Sequence, residues 1–128
     1  MSLTVSPDLL EQAKLGEVDD AEFLDCVRTS LPYAWDMVTG LVKELEAGDG
    51  EFAGNQVPLP DEAARGQLLR MMASDAMRAA IERRYGVRLA FRNCHGAAVF
   101  LPSATAALAA FTSSRAQLLN QSPEFINC

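Results

Sequence analysis

The chain has 128 residues, of which 49% are apolar and 22% charged. This is one ordinary domain, too short for two and too rich in Leu, Val and Phe for a disordered chain. A domain of this size folds without needing a metal or a disulfide. The formal net charge is −6, and it is unevenly spread. Residues 1–64 hold 14 acids and three bases (Lys14, Arg28, Lys43), a net of −11. Residues 65–128 hold three acids (Asp75, Glu82, Glu124) and eight bases, all arginine, a net of +5. This asymmetry is the strongest compositional signal in the chain.

In chain order, Ser6-Pro7-Asp8 predicts a helix start with Pro at the first helical position. Gly16 ends that helix near Leu15. Asp19 or Asp20 caps a second helix, where Phe23, Cys26, Val27 and Ser30 share a face. Pro32 opens a third. Its Val38, Leu41, Val42 and Leu45 follow the spacing of a buried stripe. Residues 47–60 hold three glycines and two prolines and read as a long loop without regular structure. A fourth helix opens at Pro60-Asp61-Glu62, with Ala64, Leu68, Met71 and Met72 inward. Ser74 caps a fifth, with Ala76, Met77, Ala80 and Ile81 inward and Arg78, Glu82 and Arg83 outward. Gly86 suits its left-handed end. Val87, Leu89 and Phe91 then alternate with Arg88, Ala90 and Arg92, the period of a half-buried strand. Asn93-Cys94-His95-Gly96 fits a type I turn, and Ala97 to Leu101 returns as the partner strand. Ser103 caps a last helix to about Leu119, with Leu108, Phe111 and Leu118 inward, and Pro123 bars its continuation. The expected fold is a single α+β domain over 1–128, mostly helical, with about five helices around one β-hairpin. It comprises an acidic helical part (1–46), the loop (47–60) and an arginine-rich helix–helix–hairpin–helix part (61–128), the latter open to a winged-helix-like reading.

The N-terminal residues have no basic start and no apolar run before a cleavage site, so no signal peptide is expected. Residues 93–114 lack acidic and basic side chains, but Asn93, His95, Pro102 and five Ser or Thr residues make them too polar for a membrane span. An odd number of cysteines fits reduced thiols, and together these features point to a cytoplasmic protein away from the membrane.

Several segments carry a resemblance. They are Asp25-Cys-Val-Arg-Thr-Ser-Leu-Pro-Tyr-Ala-Trp35, Arg65-Gly-Gln-Leu-Leu69, Leu89-Ala-Phe-Arg-Asn-Cys-His95 and Leu118-Leu-Asn-Gln-Ser-Pro-Glu124. In these the chain resembles a family of small proteins from streptomycetes and related actinobacteria. The resemblance implies an actinobacterial cytoplasmic protein and assigns no catalytic role to any residue.

Four constellations could carry chemistry. Cys26, Cys94, His95 and Cys128 include every thiol and the only imidazole, ligands that suit zinc, copper(I) or iron. They come from three segments with no Cys-x-x-Cys pair, so the plainer reading has Cys26 as a core thiol, Cys128 at a frayed end and His95 in a solvated turn. A redox pair of two cysteines is the other option for these thiols. Cys94 or Cys26 with His95 could form a nucleophile and base, although no third orienting residue can be named. Arg78, Arg83, Arg88 and Arg92, with Arg84 and, at the margin, Arg65 and Arg70, could form an arginine face. In a winged-helix arrangement Arg78 and Arg83 lie on the reading helix and Arg88 and Arg92 on the wing. The net charge disfavours nucleic acid, and the plainer reading pairs these arginines with the acidic half, within the chain or across a homodimer. Tyr33 and Trp35, with Phe23 and Met37, could line a pocket for a flat apolar ligand, with Arg28 and Asp36 as its polar groups, or simply pack the core. Asp19, Asp20, Glu22 and Asp25 read as a solvated helix face.

The expected function is a small binding or regulatory protein presenting arginines to an anionic small molecule or a protein partner, self-associating as a homodimer. The competing expectation is a Cys/His-centred metalloprotein or enzyme of actinobacterial specialised metabolism. Winged-helix DNA binding is the third.

Overall fold

The computed structural model describes residues 2–55, 59–92 and 96–119. Its elements are α1 (Pro7–Leu15), α2 (Asp20–Ser30), α3 (Pro32–Ala47), β1 (Phe52–Gly54), α4 (Glu62–Met72), α5 (Asp75–Tyr85), β2 (Arg88–Arg92), β3 (Gly96–Phe100), α6 (Thr105–Phe111) and α7 (Ser114–Leu119). The domain is α+β and mostly helical, as expected.

Local chemistry sets most helix ends. Ser6 Oγ accepts from Leu9 N–H at 3.2 Å, Asp19 from Glu22 N–H at 3.0 Å, Asp61 from Ala64 N–H at 2.8 Å and Ser74 from Met77 N–H at 3.2 Å. Each satisfies one orphan donor of a first turn. Gly16 and Gly86 end α1 and α5 at φ +76° and +65°, where a side chain would be strained. Helix α3 follows Leu31, which offers no capping side chain. Its cap comes from another helix: Gln67 Oε1 on α4 accepts from Tyr33 N–H at 2.7 Å and Ala34 N–H at 3.3 Å. This fixes the start of α3 against α4.

The three strands form one antiparallel sheet in the order β1-β3-β2. Phe52, Phe100 and Arg88 lie in one row across it, Gly54, Ala98 and Ala90 in the next, and Arg92 opposite Gly96. Directly opposed residues share a face, so these point one way, and Leu89, Phe91, Ala97 and Val99 point the other. The second set joins the main core with α3 and the helices beyond it. The first meets Ala104, Leu108 and Phe111 around α6.

Three differences from the expected fold have physical causes. Residues 52–54 form a strand within the supposed loop, because β3 supplies a ladder for them and Phe52 stacks on Phe100 at 5.1 Å. The last helix is two. Thr112 Oγ1 donates to Leu108 O and Ser113 Oγ to Ala110 O, while Ser113 Oγ accepts from Ala116 N–H, so these hydroxyls end α6 and cap α7. The expected inward Leu118 is therefore 73% exposed. Ala90, expected on the solvent side of a half-buried strand, is buried because α6 covers that face. The Asn93–His95 part of the expected turn and the Pro123 stop lie outside the described residues.

Three substitutions test this packing by urea denaturation. Phe100→Ala empties a fully buried site and should cost about 3–5 kcal/mol. Gln67→Ala removes the cap of α3 and should cost about 1 kcal/mol. Leu118→Ser should stay within about 0.5 kcal/mol of the parent.

Candidate functional site

Arg88 and Arg92 share one face of β2, but Arg78 and Arg83 of α5 diverge. Arg78 and Arg83 lie on α5 five positions apart, which places them on different sides of the helix. Arg78 pairs with Asp75 one turn away. Arg83 turns to α2. Its Nε donates to Asp20 Oδ2 at 2.8 Å and its Nη2 to Asp20 Oδ1 at 3.0 Å, a two-pronged fork. Arg88 Nε sits 3.5 Å from Glu82, whose Oε2 also accepts from Leu89 N–H at 2.8 Å. Glu82 so joins the end of α5 to the start of β2. Arg92 lies over the Phe111 ring on α6 at 4.3 Å, and Arg84 over Tyr85 at 5.2 Å. Among the described residues, one ion pair joins the acidic and arginine-rich halves, that of Asp20 with Arg83.

The aromatic residues also separate. Tyr33 and Trp35 are two positions apart on α3 and point to opposite sides. Trp35 packs on Tyr85, with ring centres 6.2 Å apart, near Arg28. Tyr33 lies with Asp36 and Met37 by β1. Burial pushes the Tyr33 phenol up, and the negative charge of Asp61 adds to the shift. Phe23 belongs to neither group.

Of the thiol and imidazole set, the described residues include Cys26 alone. It is buried, and its Sγ donates to Thr4 O at 3.3 Å. Cys94, His95 and Cys128 lie outside the described residues. Among the described residues no group of three or more His, Cys, Asp or Glu side chains could hold a metal ion. No helix among them is long and apolar enough to cross a membrane.

The clearest cavity lies between the N-terminal segment with α1, α2 and α5. Ser30 Oγ accepts from Thr4 N–H at 2.8 Å, which lays the first residues along α2. Leu9, Val18, Phe23 and Cys26 form two walls, and the small side chains Ala76 and Ala79 form the third, leaving a cleft of about 560 Å³. Asp20 and Arg83 are its charged lining residues. Ala76 was expected in the core; it is exposed and faces this cleft, because α2 stands beside α5 and leaves the space open. The sequence carried a partial signal: Ala76, Ala79 and Arg83 follow the three-and-four spacing of one helix face.

These features define a small, mostly helical α+β domain with an apolar cleft and one guanidinium among its lining groups. A family model described as "NucS shadow ORF" matches residues 1–128, so the chain belongs to that family. The description names a reading frame and no activity. No curated protein and no solved structure matches the chain.

The hydrogen bond from Arg83 holds the Asp20 carboxyl below the ordinary aspartate range; desolvation opposes this and the attraction to the guanidinium assists it. A lowered carboxyl contributes stability that is complete above its unfolded value and is lost as the pH falls through its folded one. Thermal denaturation followed from about pH 5 to pH 2 should show this loss, and Asp20→Asn should flatten that part of the profile.

Proposed function

We propose that the protein is a small binding module that takes an amphipathic anion in the cleft between α1, α2 and α5. Arg83 serves the anionic end and the apolar walls serve the body of the ligand. One observation carries this reading: an otherwise apolar cleft places a forked guanidinium among its lining residues, held by a single exposed carboxylate. Its volume falls within the range of about 300–1,000 Å³ typical of small-molecule pockets. Exposed ion pairs contribute little net stability, so a ligand carboxylate can take the place of Asp20 on Arg83 at small cost. A single converging cation suits a small anion better than a protein partner or a second copy of the chain. Arg78 and Arg88, also expected at the ligand, do not line this cleft.

Decanoate is a suitable probe, read by calorimetry. Arg83→Gln should weaken its binding about tenfold by removing a charge-assisted hydrogen-bond pair. Asp20→Asn should strengthen it by removing the internal competitor. Ala76→Trp should abolish it by filling the cleft from an exposed position. Undetectable binding, or binding indifferent to Arg83→Gln and Ala76→Trp, overturns the proposal.

A second reading, DNA binding, rests on the order of α4, α5, β2 and β3, a helix pair followed by a hairpin. Against it, Arg83 on α5 faces the acidic α2, which carries Asp20, Glu22 and Asp25 and would repel phosphates. A duplex of random sequence, tested at low salt, separates the two readings. The cleft reading expects no complex, and DNA binding requires one that weakens steeply as salt rises.

A further inference from the structure

We infer a second, independent ligand site on the α6 side of the sheet, suited to a flat aromatic carboxylate. A cleft of about 330 Å³ opens there, lined by Phe52, Gly54, Arg92, Gly96 and Phe111. The register explains the space. Gly54 and Gly96 lie on the sheet face turned towards α6, where any other residue would place a side chain. A Cβ on Gly54 would meet only ordinary contacts, at 3.6 Å and 3.7 Å, so the backbone does not require glycine for want of room. The gap is a void over the strands, not a tight turn.

The charge in this void is Arg92. Arg28, Arg78, Arg83 and Arg88 each have a carboxylate within 4.0 Å, whereas Arg92 has none among the described residues. Its guanidinium lies over the Phe111 ring at 4.3 Å, and its Nε, like those of Arg65 and Arg78, is buried with no acceptor among the described residues. A buried donor without an acceptor calls for a partner. The flat face of a guanidinium stacks on a ring while its edge keeps N–H groups in the plane, free to fork onto a carboxylate. At the other end of the cleft, Phe52 has one ring face on Phe100 and is 50% exposed. It offers a stacking surface to an aromatic body whose carboxylate reaches Arg92. This cleft shares no lining residue with the one that holds Arg83.

The probe is 2-naphthoate, followed by its own fluorescence and by backbone amide NMR, with neutral 2-naphthalenemethanol as control. Saturable naphthoate binding should shift the amides of Gly54, Gly96 and Ala97, and the alcohol should bind at least about tenfold more weakly. Arg92→Gln should weaken naphthoate binding about tenfold or more by removing the charge-assisted bonds. Gly54→Val should abolish the naphthoate shifts at Gly96 and Ala97 by filling the void while the strand is kept, and Ala76→Trp should leave those shifts unchanged. If Arg92→Gln loosens α6, Gly54→Val alone still decides, since it leaves the cation in place. Absence of shifts at these amides, equal binding of the alcohol, or full binding by Gly54→Val overturns the inference.

Discussion

The burial of α3 holds together the elements packed around it, α2, α4, β1 and β3. Leu31 precedes this helix, and Ala34, Val38, Leu41, Val42 and Leu45 run along it, all buried. One side of α3 lies on β1 and β3, and others meet α2 and α4. Gln67 of α4 supplies the cap that α3 lacks, so the helix is placed by polar bonds at its start and by apolar contact along its length. With α3 in place, α2 is brought beside α5. The first residues then lie over α2 through Thr4, Ser30 and Cys26. Ala76 and Ala79 are too small to fill the space this leaves, and the cleft results.

The same arrangement decides what the charge asymmetry does. A net of −11 beside a net of +5 suggests broad pairing between the two halves. Among the described residues the pairing is mostly local instead. Arg28 and Asp25, Arg78 and Asp75, and Lys14 and Glu11 each lie three positions apart on one helix. Glu82 serves Arg88 across the short link from α5 to β2. Asp20 with Arg83 is the single crossing, and it lies at the cleft. Arg92 is handled differently again, by an aromatic face. Arg83 and Arg92, the arginines of the two proposed sites, therefore differ in kind: one is held by a carboxylate of α2 and the other stacks on a ring.

What the sequence made legible is what depends on neighbours in the chain. Ser6, Asp61 and Ser74 cap helices as expected, Asp19 proves to be the cap of α2, and Gly16 and Gly86 end helices where a left-handed residue is needed. The alternation from Val87 to Phe91 gave the hairpin strand. What it hid depends on partners distant in sequence or on competing polar groups. The three residues of β1 are a strand only because β3 lies beside them, and the glycines around them read as loop. Thr112 and Ser113 break an otherwise continuous apolar pattern by bonding their own backbone. Ala76 is apolar and reads as core, yet its surroundings are set by α1 and α2, more than 45 positions earlier. The arginine list held Arg83 and Arg92, but what gives each of them its cleft lies far off in the chain, α1 and α2 for Arg83 and α6 for Arg92.

An amide NMR titration of the unmodified protein with decanoate tests whether the cleft between α1, α2 and α5 takes a ligand. Saturating shifts should concentrate at Phe23, Ala76, Ala79 and Arg83, while Val38, Leu41 and Val42 in the middle of α3 stay still. Shifts absent from α5, or centred on the Tyr33 side of α3, would contradict it and return the cleft to a plain gap between helices.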